Sequence, residues 1–335
     1  MDEHRTGTSR RAFLQKCIAG AIGLGAAGEF SLLPAQSPAV AKSRVVVARD
    51  AKLRAGGSKV DSGRVLSLLD RGMQTLYGVD SPQQAWKNLV HPGEKVGLKV
   101  NTIAGRGLST NSLLVEAICE RFQQAGIQAR DIIVWDRENS DLERAGYRLS
   151  SDVNHMRCLG TDAVGYEEQP ESFGTARSRL SKILTRNCDV LINVPILKDH
   201  SDAGITAALK NMYGVIDNPY RLHGGGCSSG IADLNMLPAI RTKMRLTICD
   251  ATTAAFDGGP SFDPESTWQY NGLIMARDPV ALDYTAWQII ERKRAEQKLK
   301  TLPAVGRAPR FISLAADARH RLGTNDPGRI SVVEV

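Results

Sequence analysis

The sequence predicts an α/β protein with a mostly parallel β-sheet flanked by helices. Two patterns along the 335 residues indicate this class: short runs of β-branched residues alternate with longer stretches whose apolar residues recur at helical spacing. Several of the short runs are apolar nearly throughout, as expected of strands that helices cover on both faces. With 42% hydrophobic and 24% charged residues, the chain is neither disordered nor a disulfide scaffold.

The individual elements follow from these patterns. In chain order, strands are predicted at 44–48, 95–100, 131–135, 189–197, 245–249 and 329–335. Helices are predicted at 64–77, 111–125, 203–212, 231–242 and 279–297. Asp278 followed by Pro279 has the sequence of a helix N-cap with proline at the first helical position. The polar stretch 149–177 predicts an irregular insertion, and the segments 215–230 and 251–272 predict long loops rich in Gly and Pro.

The first 41 residues have the order of an export signal. Ser9 to Gln15 (SRRAFLQ) resembles the twin-arginine motif, with Arg10 and Arg11 as the arginine pair. A mildly apolar stretch and then Ala39-Val40-Ala41 follow, as a signal peptide with a small-residue cleavage site requires. We therefore expect residues 1–41 to be a signal that the twin-arginine translocase uses, and residues 42–335 to form a single α/β domain. The expected location is periplasmic or extracellular, without a transmembrane segment in the mature protein.

The charge and aromatic content argue against a nucleic-acid partner. The net charge is +7, and the densest basic run, between Arg292 and Lys300, falls at the C-terminal end of a predicted helix. Cations suit the negative end of the helix dipole, so this run needs no nucleic acid to explain it. Aromatic residues are only 5% of the chain, which leaves few stacking platforms for bases.

The cysteines do not indicate an iron–sulfur cluster. Five of the six cysteines lie beyond residue 41, and no two form a C-x-x-C pair. Ferredoxin-type clusters and four-cysteine zinc sites both require such spacing. We therefore expect neither, and a divalent metal, if one is bound, would need His and Asp ligands.

Polar side chains collect where the predicted strands end. In open α/β sheets, ligands bind in the crevice beyond the carboxyl ends of the strands. The residues that reach this edge are Lys99, Asn101, Asp136, Lys198, Asp199, His200 and Asp250. The set predicts one shared cleft.

The segment 195–215 is the most basic part of this predicted cleft. Lys198 and Lys210, with His200 and Asn211 beside them, suit a carboxylate or phosphate ligand. A helix predicted at 203–212 would add the backbone amides of its N-terminus. His200 has the chemistry of a general base or of a metal ligand.

The segment 221–230 (RLHGGGCSSG) contains two hydrolase-like matches. His223 with three glycines resembles the lipase oxyanion motif, and Ser228 lies in a G-x-S-x-G match. In α/β hydrolases the two motifs are far apart and a strand precedes the serine, whereas here they overlap and no strand is predicted before them. We therefore interpret both matches as chance, and the glycines as permitting close backbone approach.

Taken together, the motifs resemble those of the domain of unknown function 362 family. The motifs are KVGLKVN, DVLINVPILKDH, TAALKNMYGVI, RLH, LTICDATTAAFDGGP, GLIMARDPVALDYTA and LGTNDPGRISVV, in order from about residue 44 to 335. The most specific is Lys-x-His followed by Thr-x-x-x-Lys-Asn-x-x-Gly, from Lys198 to Gly214. The resemblance implies an α/β domain, exported in some relatives by the twin-arginine route. Some relatives also have a ferredoxin-like module, which this sequence lacks.

The favoured hypothesis is an exported enzyme acting on a small anionic substrate. The residues expected to react are His200, Lys198 and Lys210, and those expected to bind the ligand are Lys99, Asn101, Asn211 and His223. The residues expected to hold a divalent metal, or to act as an acid/base partner, are Asp250, Asp257 and Asp283. The alternatives are a non-catalytic exported carrier of a ligand or a redox-linked cofactor, and a serine hydrolase acting through Ser228.

Overall fold

The computed structural model describes residues 42–54 and 56–335. The strands in this part are β1 (Ser43–Arg49), β2 (Val96–Lys99), β3 (Ile132–Asp136), β4 (Arg157–Gly160), β5 (Glu171–Phe173), β6 (Ala176–Ser178), β7 (Val190–Asn193), β8 (Ile196–His200), β9 (Gly204–Thr206), β10 (Met244–Ala255), β11 (Thr267–Trp268), β12 (Gly272–Ala276) and β13 (Ile330–Glu334). The α-helices are α1 (Ser62–Tyr77), α2 (Pro82–Leu89), α3 (Ser112–Gln124), α4 (Asn139–Ala145), α5 (Thr161–Val164), α6 (Lys182–Arg186), α7 (Ser228–Leu234), α8 (Pro238–Lys243), α9 (Pro279–Glu296) and α10 (Phe311–Ala316).

One large sheet organises the described domain. Its strand order is β13-β1-β12-β10-β7-β2-β3-β4, with β8 and β11 also pairing with β10, and β9 pairing with β8. The strands β10, β7, β2, β3 and β4 run parallel, while β12 is antiparallel to both of its neighbours. The predicted class, a mostly parallel sheet flanked by helices, is therefore confirmed.

Both faces of the sheet are buried, and the alternation along β1 shows why. Val45 and Val47 pack into the core beneath α6–α10, whereas Val46 and Ala48 pack into the core beneath α1–α3. Successive side chains of a strand point to opposite faces, so a strand covered on both sides must be apolar at every position. This requirement produces the unbroken apolar runs seen in the sequence.

Side-chain caps fix where the long helices begin. The Asp61 carboxylate accepts the Arg64 amide at the start of α1, and the Asn111 side chain accepts the Leu113 amide at the start of α3. Asp278 accepts two backbone amides at the start of α9, which confirms it as the predicted N-cap. Caps of this kind each stabilise a helix by about 1 kcal/mol.

Two predicted elements around the basic segment are wrong. The strand predicted at 189–197 is two strands, β7 and β8, separated at Val194 and Pro195, and β8 continues to His200. The helix predicted at 203–212 is β9 followed by a 3-10 helix, Lys210–Val215. The β-branched pair Ile205 and Thr206 extends the β8–β9 hairpin instead of a helix. In the described structure no helix therefore begins directly after His200, and no helix N-terminus supplies the backbone amides that were expected to bind an anion there.

Other predicted boundaries also shift. The helix predicted at 231–242 is divided into α7 and α8 because Pro238, which has no amide hydrogen, begins a new helix. The insertion predicted at 149–177 contains β4, an edge strand of the main sheet, and the separate β5–β6 hairpin. Arg10 and Arg11 of the predicted signal lie outside the described residues. Among the helices of the described part, none has the length and apolarity needed to cross a bilayer.

Candidate functional site

A cavity of about 410 Å³ lies at the carboxyl ends of β2, β3 and β8. This volume is within the range of small-molecule sites. Seven residues predicted to bind or react with a ligand line it together: Lys99, Asn101, Lys198, His200, Lys210, Asn211 and His223. The carboxyl edge of the sheet thus places residues from distant parts of the chain around one cavity, which we call the cleft.

The positive charge of Lys99 is compensated by an ion pair with Asp136. It is the last residue of β2, and its Nζ lies 2.6 Å from Oδ1 of Asp136, the last residue of β3, and 2.6 Å from the Val100 carbonyl oxygen. The other carboxylate oxygen, Oδ2, accepts the amide and the hydroxyl of Thr102. Every strong partner of this pair is thus supplied by the protein, so Lys99 shapes the cleft more than it attracts an anion.

Gly214 makes room for this ion pair. A Cβ atom at position 214 would come within 2.6 Å of the Lys99 Nζ and within 2.9 Å of the Asp136 Oδ1. Neither end of a buried pair that is already 2.6 Å across can retreat without losing its partner. Glycine is therefore required here for space, and the Lys-Asn-x-x-Gly spacing of the sequence has a physical reason.

Asparagine side chains link the strand ends to the 3-10 helix. Asn211 donates to Asn193 Oδ1 at 2.7 Å and to the Lys99 carbonyl at 3.2 Å, and accepts from Asn101 Nδ2 at 3.0 Å. All three asparagines are buried. Among the described residues, the Asn101 Oδ1 atom has no hydrogen-bond donor. Buried polar atoms are nearly always paired, so this enclosed oxygen is an unsatisfied acceptor in the wall of the cleft.

Lys198 is a buried cation with no carboxylate in contact. Alternation along β8 directs Lys198 and His200 to the cleft, while Asp199 points away and accepts the Gly259 amide. The Lys198 ammonium is 1% exposed and donates to the Pro260 carbonyl at 3.1 Å. No ion pair of Lys198 occurs within the described ranges. Burial lowers the pKa of Lys198 to about 8.

Lys210 is the second such cation. It begins the 3-10 helix and is 6% exposed, and its Nζ lies 4.1 Å from the centroid of the Tyr213 ring. Over residues 42–54 and 56–335, its Nζ makes no hydrogen bond and no ion pair. Burial lowers the pKa of Lys210 to about 8. An aromatic face supplies only part of the stabilisation that water or an anion would give.

The hydrogen bonds of His200 determine where its proton is. Its Nδ1 is 3.1 Å from the Asp202 amide and 3.3 Å from the Ala203 amide. Both amides donate, so Nδ1 holds the lone pair and the neutral ring carries its proton on Nε2. Burial, and then the charge of Lys210, lower the pKa of His200 to about 2, so the ring is neutral. His200 therefore offers the cleft a hydrogen-bond donor.

His223 has the opposite tautomer. Its Nδ1 lies 2.9 Å from the Pro219 carbonyl oxygen, which can only accept, so Nδ1 carries the proton and Nε2 holds the lone pair. Burial, and then the charge of Lys210, lower its pKa. The ring packs edge-on against Tyr213, with centroids 5.3 Å apart, and lies 6.0 Å from the His200 ring. Of the two histidines, His223 is the one placed to accept a proton.

Asp202 joins the two histidines in a group that a metal ion could use. His200, Asp202 and His223 each offer one ligand atom, and these atoms lie within 4.8 Å of one another. Two features disfavour a cation there. The Nδ1 of His200 is occupied by two amides, and two buried ammonium groups, Lys198 and Lys210, line the same cavity. The local potential therefore favours an anion.

The three carboxylates predicted as metal ligands are held elsewhere. Asp250 accepts the amides of Asn111 and Thr252, and Asp257 binds the guanidinium groups of Arg294 and Arg307. None of the three lines the cleft in the part of the chain that the structure describes. Each instead joins segments that are distant in sequence.

Asp283 fixes the backbone of the basic segment directly before Lys210. Its two carboxylate oxygens accept the Ala208 amide at 2.6 Å and the Leu209 amide at 3.0 Å, directly before Lys210. Burial raises its pKa to about 7. Asp283 is thus a positioning residue for the 3-10 helix, which explains a carboxylate on an otherwise apolar helix face.

The serine of the hydrolase-like match is not on a nucleophile elbow. Ser228 is the first residue of α7, and its Oγ lies 3.4 Å from the Gly226 carbonyl. Within the described chain, a 3-10 helix, Pro219–Leu222, and a turn precede it, not a strand. Ser228 also does not line the cleft. The geometry agrees with the interpretation of this match as chance.

Other lining residues were not singled out from the sequence. Ile103 and Tyr220 line the cleft while 58% and 76% exposed, and Tyr213 forms part of its wall. Apolar residues in loops give no periodic signal, so only the fold brings them to the rim. Asp202 could have been found from its position two residues after His200 in a hairpin.

The fold and the cleft define an α/β protein with a cavity at the carboxyl edge of its sheet, lined by two buried lysines that have no carboxylate partner in the described residues. The chain belongs to the DUF362 family, the domain of unknown function whose model matches residues 96–288. This range contains every residue that lines the cleft. The chain is also 25% identical, over 277 residues, to a thylakoid-associated protein of Synechocystis sp., covering 79% of this chain and 77% of that protein.

Proposed function

We propose that the protein is an enzyme that acts on a small organic anion bound in the cleft. The observation that supports this most is the pair Lys198 and Lys210: both are buried, both face the cavity, and neither has a carboxylate within ion-pair distance in the described residues. An unpaired buried charge destabilises a fold by several kcal/mol. A bound anion would remove this cost.

The other polar groups favour chemistry over simple retention. The Nδ1 contacts leave His200 Nε2–H able to donate a hydrogen bond to a ligand and His223 Nε2 able to accept a proton from one. A base and a neutral donor beside two cations form the arrangement that acid–base enzymes use to move a proton while stabilising a developing negative charge. The alternative, a non-catalytic carrier, needs the cations but not the base.

A binding and turnover experiment tests the proposal. The purified full chain is screened by thermal shift against carboxylates and phosphates, and each anion that binds is followed by NMR for conversion. Lys210→Gln should abolish the thermal shift. His223→Asn, whose side-chain amide can replace the Nδ1–H donor to the Pro219 carbonyl while removing Nε2, should retain binding and lose turnover. Binding without turnover in the wild type would support the carrier instead.

A divalent metal is the second candidate, because His200, Asp202 and His223 form a three-ligand group. Elemental analysis of wild type and of His200→Ala/His223→Ala decides between them. Near-stoichiometric metal that the variant loses would establish a metalloprotein. Wild type without metal, yet with anion binding, would support the lysine site.

We further propose that the protein is exported by the twin-arginine route. The support is the order of sequence features around Arg10 and Arg11. Arg10→Lys/Arg11→Lys should leave the precursor in the cytoplasmic fraction when cells are fractionated. Processing that is unchanged in this variant would contradict the export proposal without affecting the proposed chemistry.

A further inference from the structure

We propose that Lys210 is the nucleophile of the cleft and forms an imine with the carbonyl carbon of an oxo acid. This inference rests on the proposed function and names the substrate class of the same site. It stands on the placement of three lysines in one cavity, of which Lys210 alone has an amine without a hydrogen-bond or ion-pair partner among residues 42–54 and 56–335.

The three lysines differ in what their Nζ atoms contact. Lys99 is bound to Asp136 and to a carbonyl, and Lys198 donates to the Pro260 carbonyl. The Lys210 Nζ contacts the Tyr213 ring face and, in the part of the chain described, no hydrogen-bond acceptor. An amine with no acceptor to hold its protons is the one that most readily becomes neutral and presents a lone pair to a carbonyl carbon.

The charge state agrees with this role. Burial lowers the pKa of Lys210 to about 8. At pH 7 roughly a tenth of the amine is then neutral, compared with well under a thousandth for a lysine of ordinary pKa. This fraction is comparable to what nucleophilic lysines need.

The neighbouring groups supply the proton transfers that condensation requires. The neutral amine attacks the carbonyl carbon, a C–N bond forms, and the carbonyl π electrons move to oxygen. His200 Nε2–H donates a hydrogen bond to this oxygen and keeps its proton, while His223 Nε2, whose ring packs against the same Tyr213, takes one proton from the nitrogen and passes it to the oxygen, which becomes a hydroxyl. A proton from solvent then protonates the hydroxyl as the C–O bond breaks and water leaves. His223 Nε2 takes the second proton from the nitrogen to leave the neutral imine, and returns it to solvent. One amine and one carbonyl thus give one imine and one water, with no oxidant or reductant.

The second lysine indicates the acid group. The pKa of Lys198 is lowered as far as that of Lys210, but its Nζ donates to the Pro260 carbonyl, and a carboxylate of the same molecule bound beside it would favour its charged form. A carbonyl and a carboxylate on one small molecule therefore satisfy more of the cleft than a simple carboxylate does.

Reductive trapping tests the inference. The full chain is incubated with pyruvate or glyoxylate and cyanoborohydride at pH 8, then analysed by intact mass and peptide mapping. We expect one reduced adduct per chain, located at Lys210, and at least a tenfold loss of adduct in Lys210→Arg. Lys243→Arg serves as the matched control and should keep the full adduct at Lys210, because Lys243 does not line the cleft and its Nζ donates to three backbone carbonyls.

The outcomes separate this inference from the proposed function. A thermal shift with lactate or pyruvate but no adduct at Lys210 would overturn the imine and leave the anion site intact. Adducts spread evenly over exposed lysines would also overturn it. No thermal shift with any anion would overturn the proposed function itself. Should Lys210→Arg fail to fold, peptide mapping of the wild type still decides the position.

Discussion

Replacing Lys198 by methionine should stabilise the protein while abolishing the proposed anion binding. The reason is that its buried ammonium has no counter-ion among the described residues, so the charge destabilises the folded state. Burial lowers the pKa of Lys198 from 10.5 to about 8. At 1.36 kcal/mol for each pKa unit, the charge costs roughly 3 kcal/mol. Methionine fills a similar volume without a charge.

The sign of the pH dependence follows from linkage. Because the pKa of Lys198 is lower in the folded state, the unfolded chain binds more protons between pH 8 and pH 10.5. The stability of the wild type therefore falls as the pH drops through this window, and the full cost is present below pH 8. The advantage of Lys198→Met should be largest at pH 7 and should vanish near pH 10.5.

Thermal unfolding measures the effect. For a domain of this size, roughly 3 kcal/mol corresponds to an increase in Tm of about 5 °C at pH 7. The Pro260 carbonyl loses its donor, but it is partly exposed and water can replace the lysine. Loss of the anion-induced shift should accompany the higher Tm. A Tm several degrees below that of the wild type at pH 7 would refute this account of Lys198.

Lys99→Met is the matched control. Lys99 is equally buried, at 1% exposure, but its ammonium is paired with Asp136 at 2.6 Å. Removing it leaves a buried carboxylate without its cation, which costs about 3–5 kcal/mol. The same substitution at two equally buried lysines should thus change stability in opposite directions. Destabilisation at both positions would show that packing, not charge, determines the result.

Four further outcomes are expected. Asp283→Asn should lower the free energy of unfolding by about 1–3 kcal/mol in urea, because the asparagine NH2 group would face one of the two backbone amides that Asp283 now accepts. An unchanged urea midpoint would contradict the positioning role of Asp283. Asn211→Ala should lower the free energy of unfolding by about 2–4 kcal/mol in the same assay, because three buried hydrogen bonds are lost. A decrease below about 1 kcal/mol would show that water replaces Asn211 as the hydrogen-bond partner. Burial opposes ionisation of Asp233, but hydrogen bonds from a backbone amide and from His320, 2.9 Å away, lower the pKa of Asp233 overall. Its carboxylate should therefore stabilise the fold until the pH falls below about 4. Asp233→Asn should make the free energy of unfolding less dependent on pH below that value. Tyr220→Ser should weaken the proposed binding of aryl and long-chain alkyl carboxylates more than that of acetate in calorimetry. Equal weakening would exclude a contact between Tyr220 at the rim and the apolar part of the ligand.

The sheet and the long helices were predictable because their signals are local. Asp278 and Pro279 specify the start of α9, and short runs rich in β-branched and other apolar residues specify β2, β3 and β10. The segment 203–212 was not predictable, because its short apolar run has no helical or strand period of its own. Its conformation is decided by the pairing of β9 with β8 and by Asp283, which lies more than 70 residues further along the chain.

The composition of the cleft was predictable, but the roles of its residues were not. The rule that ligands bind at the carboxyl edge of the sheet placed Lys99, Lys198 and Lys210 together. Asp136 determines that Lys99 is the lysine held in an ion pair. The tautomers of the two histidines depend on the backbone groups that contact their Nδ1 atoms. Such contacts depend on tertiary geometry, which spacing along a sequence does not contain.

The missing side chain at Gly214 gives a means of reversing the selectivity proposed for the cleft. Any larger residue there would press on the Lys99–Asp136 pair, and the flexible lysine would yield before the carboxylate, which three further donors hold. Displacing the ammonium would leave an uncompensated negative charge at the floor of the cavity. Gly214→Ala, combined with neutral residues at positions 198 and 210, is thus a starting point for redesigning this scaffold to accept amines in place of acids.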